Sequence, residues 1–423
     1  MSITIIRQGI TFSSFEFYNV FLKDIALFYK NRKEEEISFS LINTGDNDIS
    51  YNKYRIDGNT VPLLLNIFEQ LSAYQKKAIK LELLNIAGHN KFLGTTNVLS
   101  FLTNSNFFDI ALRDGQNYSK LNPKYSIVGI NKDILPQKKD EVKFEIDCFS
   151  LTQDDNLLEE LKNLNEEEKR DRLVEYYMFK VEEKFSKLYN LFDDNKNFLE
   201  NKTSIIDYQK FYIHILPELI TNGVLHSKAN TFASLYNDGY KTKISVSDNG
   251  IGFEQSMDKK QNLGFYQRNM LKEELNKKSN FNINSNYLIH LHSIFEILYF
   301  SMLKNRLGLF DLICNVILKL DGIFRIHTEN TQIVLSKRIN ETVINLYKKR
   351  KEIIKLHDEE LLGKINSDEL KISMDILSIQ ARDLFTDFYT EVLGKYNKDV
   401  KFSSIRFFPV RFRGVHIEVE IPN

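Results

Sequence analysis

The sequence predicts a mixed α/β chain of more than one domain, and three observations carry that expectation. Short alternating apolar runs, Ile37 to Ile42 and Ile79 to Leu83, flank Val61 to Tyr74, whose Leu64, Ile67, Phe68 and Leu71 recur at helical spacing. A charged stretch with an apolar stripe, from Asp154 to about Phe192, separates the front third from the C-terminal half. The chain closes on Val415, Ile417, Val419 and Ile421 alternating with His416, Glu418 and Glu420, a half-buried strand. At 423 residues, 42% of them hydrophobic, two cores can be filled.

Taken in order, residues 1–150 read as an α/β domain, with Asn97 to Leu102 as a further helix. Residues 151–204 read as a helical connector. Leu157, Leu158, Leu161 and Leu164, then Leu173, Tyr177, Val181 and Phe185, form its stripe, which suits a dimerising hairpin or a helix packed on its own domain. Residues 205–423 read as one domain. It has a helix to about His226, strands near Thr231 to Tyr236 and Thr242 to Ser247, and a long segment over 258–305. A helix from Leu309 to Leu320 comes next, then strands at Ile323 to His327 and Gln332 to Leu335. A helical insertion at 340–400 separates these from the last strand, which is expected to pair with the earlier ones.

Lys plus Arg number 57 and Asp plus Glu 57, so no global charge draws the chain to nucleic acid or an acidic membrane. The run Lys348-Lys349-Arg350-Lys351 reads as a solvated helix face blunted by Glu352, Asp358, Glu359 and Glu360. Cys148 and Cys314 cannot build a disulfide framework or a cysteine zinc site, which fits a reducing compartment. His290 and His292, two apart, diverge on a helix and make no zinc pair. The start, Met1 to Arg7, lacks a signal peptide's pattern, and Leu288 to Leu303 is too short and polar for a bilayer span. The expectation is a soluble, cytoplasmic protein with no membrane partner.

Two segments carry chemistry. In Glu218-Leu219-Ile220-Thr221-Asn222-Gly223-Val224-Leu225-His226, the residues Glu218, Asn222 and His226 stand four apart, along one helix face. A carboxylate there can take a proton from water, and an amide oxygen can ligate a hard cation such as Mg²⁺. A solvent-facing polar stripe would give the same spacing. In Ser247-Asp248-Asn249-Gly250-Ile251-Gly252-Phe253, two glycines come after a strand, where the backbone can turn with positive φ and approach a ligand. A plain Asn-Gly turn is the alternative.

Taken together, in order and separation, these segments resemble the N-box and first glycine box of the GHKL ATPases: gyrase, the ninety-kilodalton heat-shock chaperone, histidine kinases and MutL. The run from Glu218 through His226-Ser227-Lys228-Ala229-Asn230 to Gly250-Ile251-Gly252-Phe253 looks most like the sensor histidine kinases. The resemblance implies a C-terminal two-layer α/β sandwich that binds ATP and Mg²⁺. Glu218 would be the general base or water-orienting residue, Asn222 the Mg²⁺ ligand, and Asp248 the reader of the adenine amine. Gly250 and Gly252 would shape the pocket floor. His226 matches a basic position near the phosphates, with a packed helix-end histidine as the equal alternative. Arg306-Leu307-Gly308-Leu309-Phe310 resembles the second glycine box, with amide donors at a helix start for phosphate; Gly264 is its rival. The lid between Phe253 and Arg306 would run to about 50 residues. The front domain resembles a STAS module in strand–helix order alone.

No histidine occurs between His89 and His214, so a conventional histidine autokinase is disfavoured. An ATPase or protein kinase that switches a protein partner or a second copy of the chain is the expected class. An anti-sigma-like serine kinase, an ATP-gated dimerising clamp and a non-catalytic nucleotide-binding module are the alternatives.

Overall fold

The computed structural model describes residues 2–32, 35–42, 54–84, 97–112, 126–139, 144–150, 154–194, 205–226, 230–237, 240–258, 265–267, 269–279, 283–397, 399–400 and 402–422. Gly264 and the Ser227-Lys228-Ala229 part of the motif lie outside them. The chain forms two compact units, Met1–Gly250 and Ile251–Asn423.

The first unit contains β1 (Ser2–Ile6), β2 (Thr11–Phe12), α1 (Ser14–Glu16), α2 (Leu22–Asn31), β3 (Ser38–Ile42), β4 (Arg55–Ile56), α3 (Val61–Gln75) and β5 (Ile79–Leu84). It continues through α4 (Asn97–Asn104), α5 (Phe107–Ala111), β6 (Val128–Gly129), β7 (Phe144–Phe149), α6 (Asp155–Lys162), α7 (Glu166–Asp194), α8 (Ile205–His226), β8 (Thr231–Asn237) and β9 (Lys241–Asp248). One sheet is parallel, in the order β1-β3-β5-β6. Strands β2 and β4 form a short parallel pair, and in a second sheet β7, β8 and β9 run antiparallel, with Phe144 opposite Tyr236 and Thr231 opposite Asp248.

Helix α3 touches β5 of the first sheet and β8 and β9 of the second. That position explains its composition: Val61 to Phe68 is buried on every side, so it is apolar nearly throughout rather than striped. Pro62 is tolerated because it falls in the first turn, where its missing N–H has no intrahelical partner to lose.

The connector helix α7 lies on α8, β7 and β8. Leu173, Tyr177, Val181 and Phe185 are fully buried there, so the stripe is a helix packed within its own unit and not an open dimerising face. The expected boundaries at 150 and 204 do not coincide with the compact units. The reason is β7: it pairs with β8, which binds the end of the front segment, the connector and α8 into one body.

The second unit contains α9 (Gly252–Asp258), α10 (Met270–Lys278), α11 (Ser285–Leu303), α12 (Leu309–Cys314), β10 (Ile323–Leu335), α13 (Asn340–Leu361), α14 (Ser367–Gly394) and β11 (Ile405–Pro422). The final strand pairs antiparallel with β10, in line with the alternation at Val415 to Ile421. The two short strands expected at 323–327 and 332–335 are one strand. They are separated by a bulge around Glu329, whose φ is 55°. The insertion is the helical pair α13 and α14, the latter capped by reciprocal bonds between Asn366 and Glu369.

The segment 258–305 is not one long lid. Its second half is α11, whose Leu291, Ile294, Phe295, Leu298 and Met302 are fully buried, which makes it a core helix. His290, His292, Ser293 and Glu296 give that helix a half-polar sequence, yet all four are buried too. No helix among the described residues is long and apolar enough to cross a membrane.

Candidate functional site

Glu218, Asn222 and His226 fall on one side of α8, each partly exposed, while Leu216, Leu219, Ile220 and Val224 are buried. Gly223 lets that buried side approach β8: a Cβ there would stand 2.7 Å from Thr231 Cγ2. The last residue of the helix meets the glycine turn through its backbone. A Cβ on Gly250 would lie 2.9 Å from the His226 carbonyl oxygen and 2.6 Å from Asp248 Oδ1. Two segments distant in the sequence are thus packed together within the first unit, and a glycine is what permits the contact.

Asp248 ends β9 and is 7% exposed. Its Oδ1 accepts the Gly250 N–H at 2.6 Å, so the side chain shapes its own turn.

Two residues of α3 that the sequence motifs do not include hold this turn in place. Asn66 Nδ2 donates to Ser247 Oγ and to the Asp248 carbonyl, each at 2.8 Å. Glu69 accepts from Asn230 Nδ2 at 2.8 Å and from Asn249 Nδ2 at 2.6 Å. Both side chains are essentially inaccessible to solvent. A signal for them is present in the sequence: two polar residues three apart inside an apolar helix need partners once buried.

A third unanticipated residue faces the α8 stripe. Arg170, in the first turns of α7, makes an ion pair with Glu218 Oε1 and donates to Asn222 Oδ1 at 3.2 Å. The two side chains expected as base and metal ligand therefore converge on a single cationic group. The amide oxygen of Asn222 is a donor that a hard cation also accepts, so Asn222 fits a magnesium ligand, with the Glu218 carboxylate beside it. No group of three or more His, Cys, Asp or Glu among the described residues is arranged to hold a metal unaided.

The other two glycines sit in the second unit. Gly252 has φ 72°, a conformation that favours glycine, and a Cβ there would be 3.3 Å from Thr328 Oγ1. Gly308 precedes α12, but the amides expected to receive phosphate have protein partners. Gly308 N donates to Asp311 Oδ2 at 3.0 Å and Phe310 N to Ser301 Oγ at 3.2 Å. The organiser of this corner is Arg350, fully buried although it belongs to the run that reads in sequence as a solvated face. Its Nε and Nη2 hold Asp311 at 2.9 and 3.0 Å, and its remaining N–H groups reach the carbonyls of Met302, Lys304 and Arg306.

Buried histidines give the second unit a pH dependence. Burial, with Lys272 adding to it, pushes His292 down to about 4, and burial with Arg411 does the same to His290. A histidine held neutral when folded, with an ordinary value near 6.5 when unfolded, stabilises the fold fully above 6.5. That stability is lost as pH falls toward 4. Buried Glu296 and Glu329 are shifted upward and oppose the trend, so one histidine is best isolated by substitution. His292 bonds to Ser279 Oγ and Tyr389 Oη, both at 3.0 Å. Between pH 6.5 and 4 the wild type should lose roughly 1.4 kcal/mol per pH unit more than His292→Gln, by denaturant melts. Equal slopes would mean that His292 is not held neutral by the fold.

A separate cleft of about 670 Å³ opens in the first unit between Tyr54, Arg55, Asp57, Phe101, Tyr236 and Lys243. Glu218, Asn222, His226, Asp248, Gly250 and Arg170 are not among its lining residues. Compared with protein-family models, curated proteins and solved structures, the chain matches none.

Proposed function

We propose that the chain binds ATP with magnesium through the exposed side of α8 and the turn after β9, in the manner of the GHKL ATPases, and uses the nucleotide as a switch on partner proteins. The observation that carries this reading is the packing of Gly250 against the His226 carbonyl. It puts the Asp248 turn at the end of the helix that carries Glu218 and Asn222. The packing of α8 on β8 and β9, which with β7 form an antiparallel sheet, supports a sandwich of the GHKL type in which the helix backs that sheet.

In this reading Asp248 accepts the adenine amine, Asn222 holds magnesium by its side-chain oxygen, and Glu218 takes a proton from, or orients, the attacking nucleophile. Bound magnesium supplies charge neutralisation on the phosphates. Gly250 keeps the turn close to the helix end. The Asn66 and Glu69 bonds hold Asp248 and Asn249 without relying on ligand, which is the preorganisation a binding site needs. Action on a protein partner is supported by Ile372, Ile376 and Ile379, a line of exposed apolar residues on α14 at 64%, 54% and 49% exposure.

Asp248→Asn is a sharper test than truncation. The asparagine oxygen can still accept the Gly250 N–H and keep the turn, but its NH₂ would face a donor on adenine. Leaving that pair unmatched costs about 1–3 kcal/mol. ATP affinity by calorimetry with Mg²⁺ should fall accordingly, with the melting temperature nearly unchanged. Unaltered affinity would remove Asp248 from adenine recognition.

A further inference from the structure

We propose that Arg170 is a latch on this site: its guanidinium occupies the cation position between Glu218 and Asn222, and α7 must release it before metal can load. The proposal rests on the nucleotide-site reading and adds to it a regulatory contact.

Geometry makes the two occupants exclusive. Arg170 pairs with Glu218 and donates to Asn222 Oδ1 at 3.2 Å, so one positive group already uses both oxygens. Magnesium binds oxygen at about 2.0–2.1 Å, closer than a guanidinium, and the two cations repel. The contact is shielded, since the Arg170 and Glu218 side chains are 11% and 13% exposed. Attachment of α7 does not depend on it, because Leu173, Tyr177, Val181 and Phe185 are fully buried farther along the helix. Arg170 also bypasses the acidic residues beside it in sequence, Glu166 to Glu168, and reaches across to α8. Its place in the opening turns of α7 suits release, because a helix end opens at far lower cost than a helix middle. Whatever pulls on that end sets the metal affinity of α8.

The test uses the full chain and Mn²⁺ as the metal probe. Arg170→Met keeps the apolar stem but removes the charge. With ATP bound, it should take up Mn²⁺ on the order of tenfold more tightly than the wild type. ATP affinity in EDTA should be the same for both. Equal or weaker Mn²⁺ binding by a folded variant that still binds ATP would overturn the latch. Failure of both proteins to bind ATP, with or without metal, would instead overturn the nucleotide reading on which the latch rests. Hydrogen exchange on the wild type avoids the variant altogether. Mg²⁺ with ATP, but not ATP in EDTA, should speed exchange across residues 166–172, the end of α7 ahead of its buried anchors. No change there at confirmed metal and nucleotide occupancy would also overturn it.

Discussion

Glu218→Gln should leave ATP bound and lower its turnover by about 10²–10⁴-fold, the usual loss when a general base is removed. The substitution is conservative in this setting. A glutamine oxygen can still accept from Arg170, and the residue stays on the partly exposed side of α8, away from the buried Leu219 and Ile220. Proton acceptance is removed together with the negative charge that pairs with Arg170, so folding of the variant is checked alongside turnover. Turnover equal to the wild type would exclude Glu218 as base. Loss of ATP binding along with turnover would assign it to binding.

The largest effect on stability is expected in the second unit, from Arg350→Met. Methionine fills part of the volume but leaves the Asp311 carboxylate buried without its partner, and three carbonyls without their donor. Breaking a buried pair from one side costs about 3–5 kcal/mol. Against a typical total of about 5–15 kcal/mol, that is a large fraction. Denaturant unfolding should show it directly. Adding Asp311→Asn should recover part of the loss, because the stranded charge is removed. A cost below about 1 kcal/mol for Arg350→Met would contradict the role given to this residue.

Much of the fold is legible where local pattern and environment agree. Ile79, Leu81 and Leu83 alternate because β5 has two unlike faces, and the helix expected over Val61 to Tyr74 differs from α3 by a single residue at its end. Alternation identifies a strand but not the sheet it joins. Sequence position therefore groups β7 with the front domain, although its partner is β8, some 80 residues later. In the same way, the charge on Arg350 carries no trace of Asp311, which reaches it only through folding.

The candidate site is legible as two motifs. Spacing puts Glu218, Asn222 and His226 on one face, but it cannot supply Arg170, Asn66 or Glu69, which arrive from other helices. Nor can it show that the amides around Gly308 are taken by Ser301 and Asp311.

Nucleotide binding at this site is tested most directly by hydrogen exchange across residues 215–226 and 241–250, with and without saturating ATP and Mg²⁺. Slower exchange is expected in both segments together, since one ligand would span the α8 face and the Asp248 turn. Unchanged exchange in both, at an ATP concentration well above any physiological level, would contradict nucleotide binding there.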